Sequence, residues 1–231
     1  MEYLPNGYTL HIPDGCFPLS TDSMVLAHFV RLPKNAQILD LGSGCGTLGL
    51  LLCAKDPQCQ VTGMELTQSA HLAALENIQR NDLSSRMTSI CGSVTSVSER
   101  FSPGKFSECV SNPPYFSGGP ASKALPAARR EDGCTVADLM KAASWALKFG
   151  GDFFLVHRPE RLGELIVAAG KYQLEAKRLC LLRHHPTASV NLILLQFRKG
   201  AKPGLILEET TLYLADGSES LVYREIYHKE A

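Results

Sequence analysis

Apolar and polar positions change period along the chain in short blocks. Gln37–Leu41 is an almost continuous apolar run, the pattern of a strand buried on both faces, and Thr47–Lys55 after it is leucine-rich and long enough for a helix. Gln60–Met64 repeats the strand signal. Between Gln68 and Arg80, Leu72, Leu75 and Ile78 recur every three residues on one helical face, with Thr67 placed as the cap. Met87–Cys91 and Phe106–Ser111 predict two further strands, Val136–Phe149 a helix, and Gly151–His157 a fifth strand. Arg158–Tyr172 is again helical, and Ala176–Leu182 with Val190–Phe197 predicts a closing strand pair. Such alternation predicts an α/β fold, a mostly parallel sheet with helices on both faces. No repeat and no long linker interrupts it, so one domain over residues 1–231 is expected. Ser117–Asp132 has no periodicity and carries Gly118, Gly119, Pro120 and Pro126; long loops beside a sheet edge are usually functional.

Composition agrees with a cored domain: 231 residues, 45% hydrophobic and 20% charged, which excludes a disordered chain. The apolar stretch Leu48–Ala54, broken by Gly49, is too short to span a bilayer, and the first fifteen residues lack a secretory pattern. A cytoplasmic protein is expected. None of the eight cysteines forms a CxxC pair, and His157, His184 and His185 lack ligand spacing, so buried thiols and no metal are expected. Net charge is zero, but residues 148–202 hold ten basic and four acidic groups. A local excess of that size can neutralise phosphates while the whole chain stays neutral, unless the acidic residues of 203–231 offset it.

Asp40-Leu41-Gly42-Ser43-Gly44-Cys45-Gly46 follows the first strand and opens a helix. Glycines there let backbone approach a ligand, and a helix N-terminus offers free N–H groups. Gly44, Gly46 and Gly49 also spell GxGxxG, with Glu65 twenty-one residues beyond Gly44, as a dinucleotide site requires. The acid at Asp40 favours a different ligand, because it suits an ammonium group and repels a pyrophosphate. S-adenosylmethionine carries that ammonium, and a ribose whose hydroxyls Glu65 could accept. A dinucleotide and a purely structural turn remain the alternatives for this loop.

Ser111-Asn112-Pro113-Pro114-Tyr115-Phe116 ends the fourth strand, where ligands of open parallel sheets bind. An exocyclic adenine amine is a poor nucleophile, its lone pair being delocalised into the ring. Acceptors aimed at its N–H groups, the Asn112 side-chain carbonyl and the Pro113 backbone carbonyl, would turn that lone pair toward a methyl donor without a general base. Tyr115 offers a face on which an extruded base can stack, worth roughly 1–3 kcal/mol. A rigid turn with an aromatic plug is the structural alternative.

DLGSGCG with Glu65 and NPPY resembles the class I methyltransferases that modify planar amino nitrogens. The longer pattern FPLSTDSMVLAHF, SNPPYFSGG and LVHRPERL resembles the bacterial tRNA N6-adenine methyltransferases that modify the adenine beside the anticodon of a valine tRNA, over nearly the whole chain from about Phe17. The resemblance implies a Rossmann-like seven-stranded sheet, S-adenosylmethionine as cofactor, and residues 1–35 as an element covering it. It assigns Thr21, Asp22, Asp40, Gly42, Gly44, Glu65 and Asn112 to the cofactor, and Asn112 and Tyr115 to catalysis; Ser43, Leu66 and Ser93 are further candidates for the cofactor and Pro113 for catalysis. Many relatives have Gly-Asp after the third strand, where this chain has Gly92-Ser93, so the contact to the cofactor's adenine differs. Arg129, Arg130, Arg158 and Arg161 are the candidate RNA contacts. Two other functions compete: N5-glutamine methylation of a protein, for which the 39 residues before Asp40 leave no room for a helical substrate domain, and a non-catalytic RNA-binding protein on a methyltransferase fold.

Overall fold

A computed structural model of the chain describes residues 1–4, 7–113 and 134–227. After a two-strand ribbon, Glu2–Tyr3 with Thr9–Leu10, comes helix α1 (Thr21–Phe29). Strands β1 (Gln37–Leu41), β2 (Gln60–Glu65) and β3 (Met87–Cys91) follow, joined by α2 (Thr47–Lys55) and α3 (Gln68–Arg80). Helix α4 (Val97–Arg100) leads to β4 (Phe106–Ser111), and α5 (Val136–Ala146) to β5 (Leu147–His157). The chain then forms α6 (Leu162–Lys171), the pair β6 (Leu174–Arg183) and β7 (Val190–Lys199), β8 (Ile206–Thr211) and α7 (Leu221–Tyr227).

The strands form one sheet in the order β8-β6-β7-β5-β4-β1-β2-β3, parallel except for β7, which runs antiparallel to both neighbours. This is the mostly parallel α/β sheet expected from the alternation, in the Rossmann-like form that the resemblance implies. The seven anticipated strands are joined by an eighth, β8, lying parallel to β6 at the edge. Helices α1, α2 and α3 pack a core against one face, around Leu26, Ile38, Leu50 and Phe154. Helices α5 and α6 pack the other, around Leu39, Met140, Phe153 and Phe197. Ile38 and Leu39 are adjacent and both fully buried, which explains why β1 reads as a continuous apolar run.

Several boundaries differ from the sequence reading. The helix expected to reach Phe149 ends at Ala146, because Leu147 pairs with Phe106 and joins β5, while Phe149 is 74% exposed and Gly150 turns the chain at φ +79°. The helix expected from Arg158 begins as a 3-10 turn, Pro159–Arg161, before α6. Helix α1 gave no amphipathic signal because six of its nine residues are buried, so no polar stripe marks its period. Among the described residues no helix is long and apolar enough to cross a membrane.

Candidate active site

The sheet's chain order reverses between β1 and β4, and the C-terminal ends of β1, β2 and β4 border a cavity of about 380 Å³. Its floor is Asp40, on β1 and only 1% exposed. Among the described residues nothing bonds its Oδ2. Burial first, and the charge of Glu65 second, push the Asp40 carboxyl up to about 8. A buried carboxylate oxygen without a donor is costly unless something cationic completes it.

The loop after Asp40 is held by β2. Gly42, Gly44 and Gly46 take φ +75°, +55° and +86°, a region L side chains rarely adopt, so the turn requires glycine. The Gly42 and Ser43 N–H groups both donate to the Met64 carbonyl, at 2.9 and 3.1 Å, and Gly44 N–H donates to Glu65 Oε2 at 2.8 Å. These three donors are turned into the protein and are not offered to an anion, which removes most of the nest a pyrophosphate would need. Glu65 Oε1 accepts from Thr67 N–H at 2.8 Å, so both carboxylate oxygens are fixed in direction while each keeps a further lone pair. An oriented acceptor pair beside an uncompensated buried acid fits the ribose diol and the ammonium of S-adenosylmethionine.

Across the cavity, Ser111 Oγ donates to the Leu41 carbonyl at 2.7 Å and ties the end of β4 to the end of β1. Asn112 follows; its Nδ2 donates to Ser23 Oγ of α1 at 2.9 Å, and Pro113 also lines the cavity.

A model of the methyltransferase small domain family matches residues 19–167. The chain belongs to that family. A protein of Photobacterium profundum named tRNA1(Val) (adenine(37)-N6)-methyltransferase is 29% identical to this methyltransferase over 203 residues, covering 84% of each chain. One of the same name from Shewanella halifaxensis is 31% identical over 174 residues, covering 74% of this chain and 69% of its own. Among solved structures, an Agrobacterium tumefaciens protein described as a predicted O-methyltransferase superposes with TM-score 0.76 at 22% identity, over 90% of this chain and 96% of that one. Geranyl diphosphate C-methyltransferase from Streptomyces coelicolor, bound to S-adenosyl-L-homocysteine, matches with TM-score 0.58 at 12% identity, over 77% and 79%. The protein is an S-adenosylmethionine-dependent methyltransferase.

Of the residues the sequence assigned to the cofactor, Asp40, Gly42, Ser43, Gly44, Glu65, Leu66, Ser93 and Asn112 all line the cavity. Ser93 uses its hydroxyl locally, accepting from Thr95 N–H at 3.2 Å to cap the turn Val94–Ser96. Thr21 and Asp22 open α1 but do not line the cavity; Thr21 Oγ1 lies 3.3 Å from the Tyr227 hydroxyl on α7. The α1 residue in the wall is Ser23, joined there by Cys16, Phe17 and Pro18 from the segment before the helix. No sequence signal singled out Ser23, whose partner lies 89 residues away. Tyr115, Arg129 and Arg130 lie outside the described residues.

Arg158 donates to the Asn191 carbonyl at 3.0 Å, and Arg161 is paired with Glu164. The local basic excess is smaller at the surface than its count. Arg178 is buried against Glu208, with its guanidinium 4.1 Å from the Phe29 ring centre, and Arg198 is paired with Asp152. His157 is buried at 1% exposure, its Nδ1 accepting from Arg158 N–H, and burial lowers it to about 4.

Proposed function

We propose that this methyltransferase transfers a methyl group to the exocyclic N6 of an adenine in RNA, with a tRNA adenine beside the anticodon as the target. The observation that carries the reading is Asn112, held at the edge of the cofactor cavity with its amide nitrogen engaged by Ser23 and its carbonyl oxygen left as the acceptor end. The relatives' names, tRNA1(Val) (adenine(37)-N6)-methyltransferase, support the choice of acceptor.

S-adenosylmethionine, when bound, supplies a methyl group on a sulfonium. Asp40 would receive its ammonium, and Glu65 its ribose hydroxyls. Leu66, 49% exposed at the cavity rim, would cover the adenine of the cofactor with its apolar side chain. Asn112 Oδ1 and the Pro113 carbonyl would accept the two N–H groups of the target amine, favour a pyramidal nitrogen and point its lone pair into the cavity. Tyr115 would stack on the extruded base. Arg129, Arg130, Arg158 and Arg161 would meet the RNA backbone around it. No base is needed before transfer: as the N6 lone pair forms the new N–C bond, the methyl–sulfur bond would break with its electron pair left on sulfur as the neutral thioether of S-adenosylhomocysteine, and the nitrogen, now cationic and acidic, would give its proton to water.

Nucleoside mass spectrometry of tRNA incubated with the protein and isotopically labelled S-adenosylmethionine tests this. Labelled N6-methyladenosine is expected. Label appearing only in the N5-methylglutamine of a protein substrate would transfer the Asn112 argument to a glutamine amide and overturn the RNA assignment. No label in either acceptor would place the methyl group on a different nucleophile and likewise overturn the adenine assignment.

A further inference from the structure

We propose that Ser23 is the positioning residue for Asn112: its hydroxyl holds the asparagine amide by its nitrogen end, which leaves the carbonyl end for the acceptor. An asparagine side chain presents two N–H donors at one end and a carbonyl acceptor at the other, and turning it by half a rotation exchanges them. Only the carbonyl end can accept from an amine. The donor end would meet that amine's own N–H groups. In this protein Nδ2 is drawn to Ser23 Oγ at 2.9 Å, while among the described residues nothing donates to Oδ1. Both side chains line the cavity, and Ser23 is 7% exposed, so bulk water does not compete freely for the contact.

The two groups are carried by anchored elements. Lys55 Nζ donates to the carbonyls of Ala27, His28 and Val30 at 2.9, 2.8 and 2.6 Å, fastening the end of α1 to α2. On the other side, the Ser111 hydroxyl fixes the backbone immediately before Asn112 to the end of β1. Asn112 is thus held by its backbone from the sheet and by its amide from α1, the support that keeps a reacting geometry within tolerance. Helix α1 thereby acquires a chemical role, since it completes the acceptor side of a cavity whose floor the sheet alone provides.

The inference rests on the reading that Asn112 receives the acceptor amine, and two measurements separate their failures. In 15N-edited spectra of the full chain, Ser23→Ala should shift the Asn112 side-chain amide signals and speed their exchange with solvent, with no RNA present. In steady-state assays Ser23→Ala should lower kcat about tenfold to a hundredfold while S-adenosylmethionine affinity stays within about twofold. Ser23→Thr, which keeps the hydroxyl and adds its methyl group beside the cavity, should recover most of that rate. A merely structural serine would show lost stability in Ser23→Ala and no split between kcat and cofactor affinity. Unmoved Asn112 amide signals, or wild-type turnover by Ser23→Ala, overturn the proposal. A wild-type protein that methylates no RNA adenine overturns the acceptor reading, and the spectra still decide whether the clamp exists.

Discussion

Cofactor binding should expel a proton from Asp40. With its carboxyl pushed up to about 8 by burial and by the charge of Glu65, Asp40 is mostly protonated at neutral pH in the ligand-free protein. At pH 7 about nine-tenths of the molecules carry that proton, and an ammonium pairs only with the ionised remainder. Ionising the group at pH 7 therefore costs about 1.4 kcal/mol, and the apparent Kd is about tenfold weaker than its high-pH limit. Between pH 6 and 7, where an α-amino group is still charged, Kd should fall about tenfold. Calorimetry in two buffers of different ionisation enthalpy at pH 7 should report release of about 0.9 proton per site. Asp40→Asn should bind weakly and release none. The sign for stability follows from the same raised value. The folded apo carboxyl holds its proton where the unfolded one has lost it, so apo stability falls as pH rises from about 4 to about 8. A Kd flat from pH 6 to 7, with no proton released, would refute the assignment of Asp40 to the ammonium.

Three further outcomes test the surroundings of the site. Gly63→Ala would place a methyl 2.7 Å from Ser43 Oγ and 2.9 Å from Ser43 Cβ, so it should cost about 1–3 kcal/mol in thermal unfolding and weaken cofactor binding; Gly163→Ala, with nothing within 4 Å, should do neither. Glu108 is buried and its carboxyl is pushed up to about 8, by burial first and the Asp152 charge second, so Glu108→Gln should gain in Tm over wild type at pH 9 and lose that advantage at pH 5; an equal gap at both would contradict the burial argument. Arg129→Ala with Arg130→Ala should weaken tRNA binding in filter assays and flatten its salt dependence by about one unit per charge at most, leaving S-adenosylmethionine affinity unchanged. A salt-insensitive affinity would favour a protein substrate.

The sequence made the sheet legible because its strands are buried on both faces and its turns are written in glycine and proline. Asp40, Glu65 and Asn112 stand at strand ends, so their positions followed from topology once the strands were recognised. What escaped depended on packing between distant segments. Helix α1 lacks a polar face because α2 and the sheet enclose it, and β8 lacks an alternating pattern because it is an edge strand with Ile206 and Leu207 58% and 62% exposed. The inward turn of the glycine-loop N–H groups needs the position of Met64 on the next strand, which no spacing rule supplies. The charge count needed the same long-range information: Arg178 and Arg198 are paired with Glu208 and Asp152 from other strands, which no count along the chain reveals.

Asp40 and Glu108 show why a displaced pKa does not by itself locate the chemistry. They sit on adjacent strands, Glu108 paired with Ile38 and Asp40 with Val110, and burial pushes both carboxyls up to about 8. Each has an oxygen that nothing in the described protein bonds. Only Asp40 borders the cavity. Glu108 lies further from the C-terminal end of β4, with Asp152, Lys148 and Arg198 as its charged neighbours; the two cations offset only part of the burial, and its unsatisfied oxygen is closed in by protein, so a proton rather than a ligand supplies the remaining relief. Asp40 can be relieved by a ligand as well, and the ligand that relieves it must be cationic and must fit beside the fixed oxygens of Glu65. Buried acidity therefore becomes affinity in one case and remains a pH-dependent loss of stability in the other, and access to the cavity is the variable that separates them.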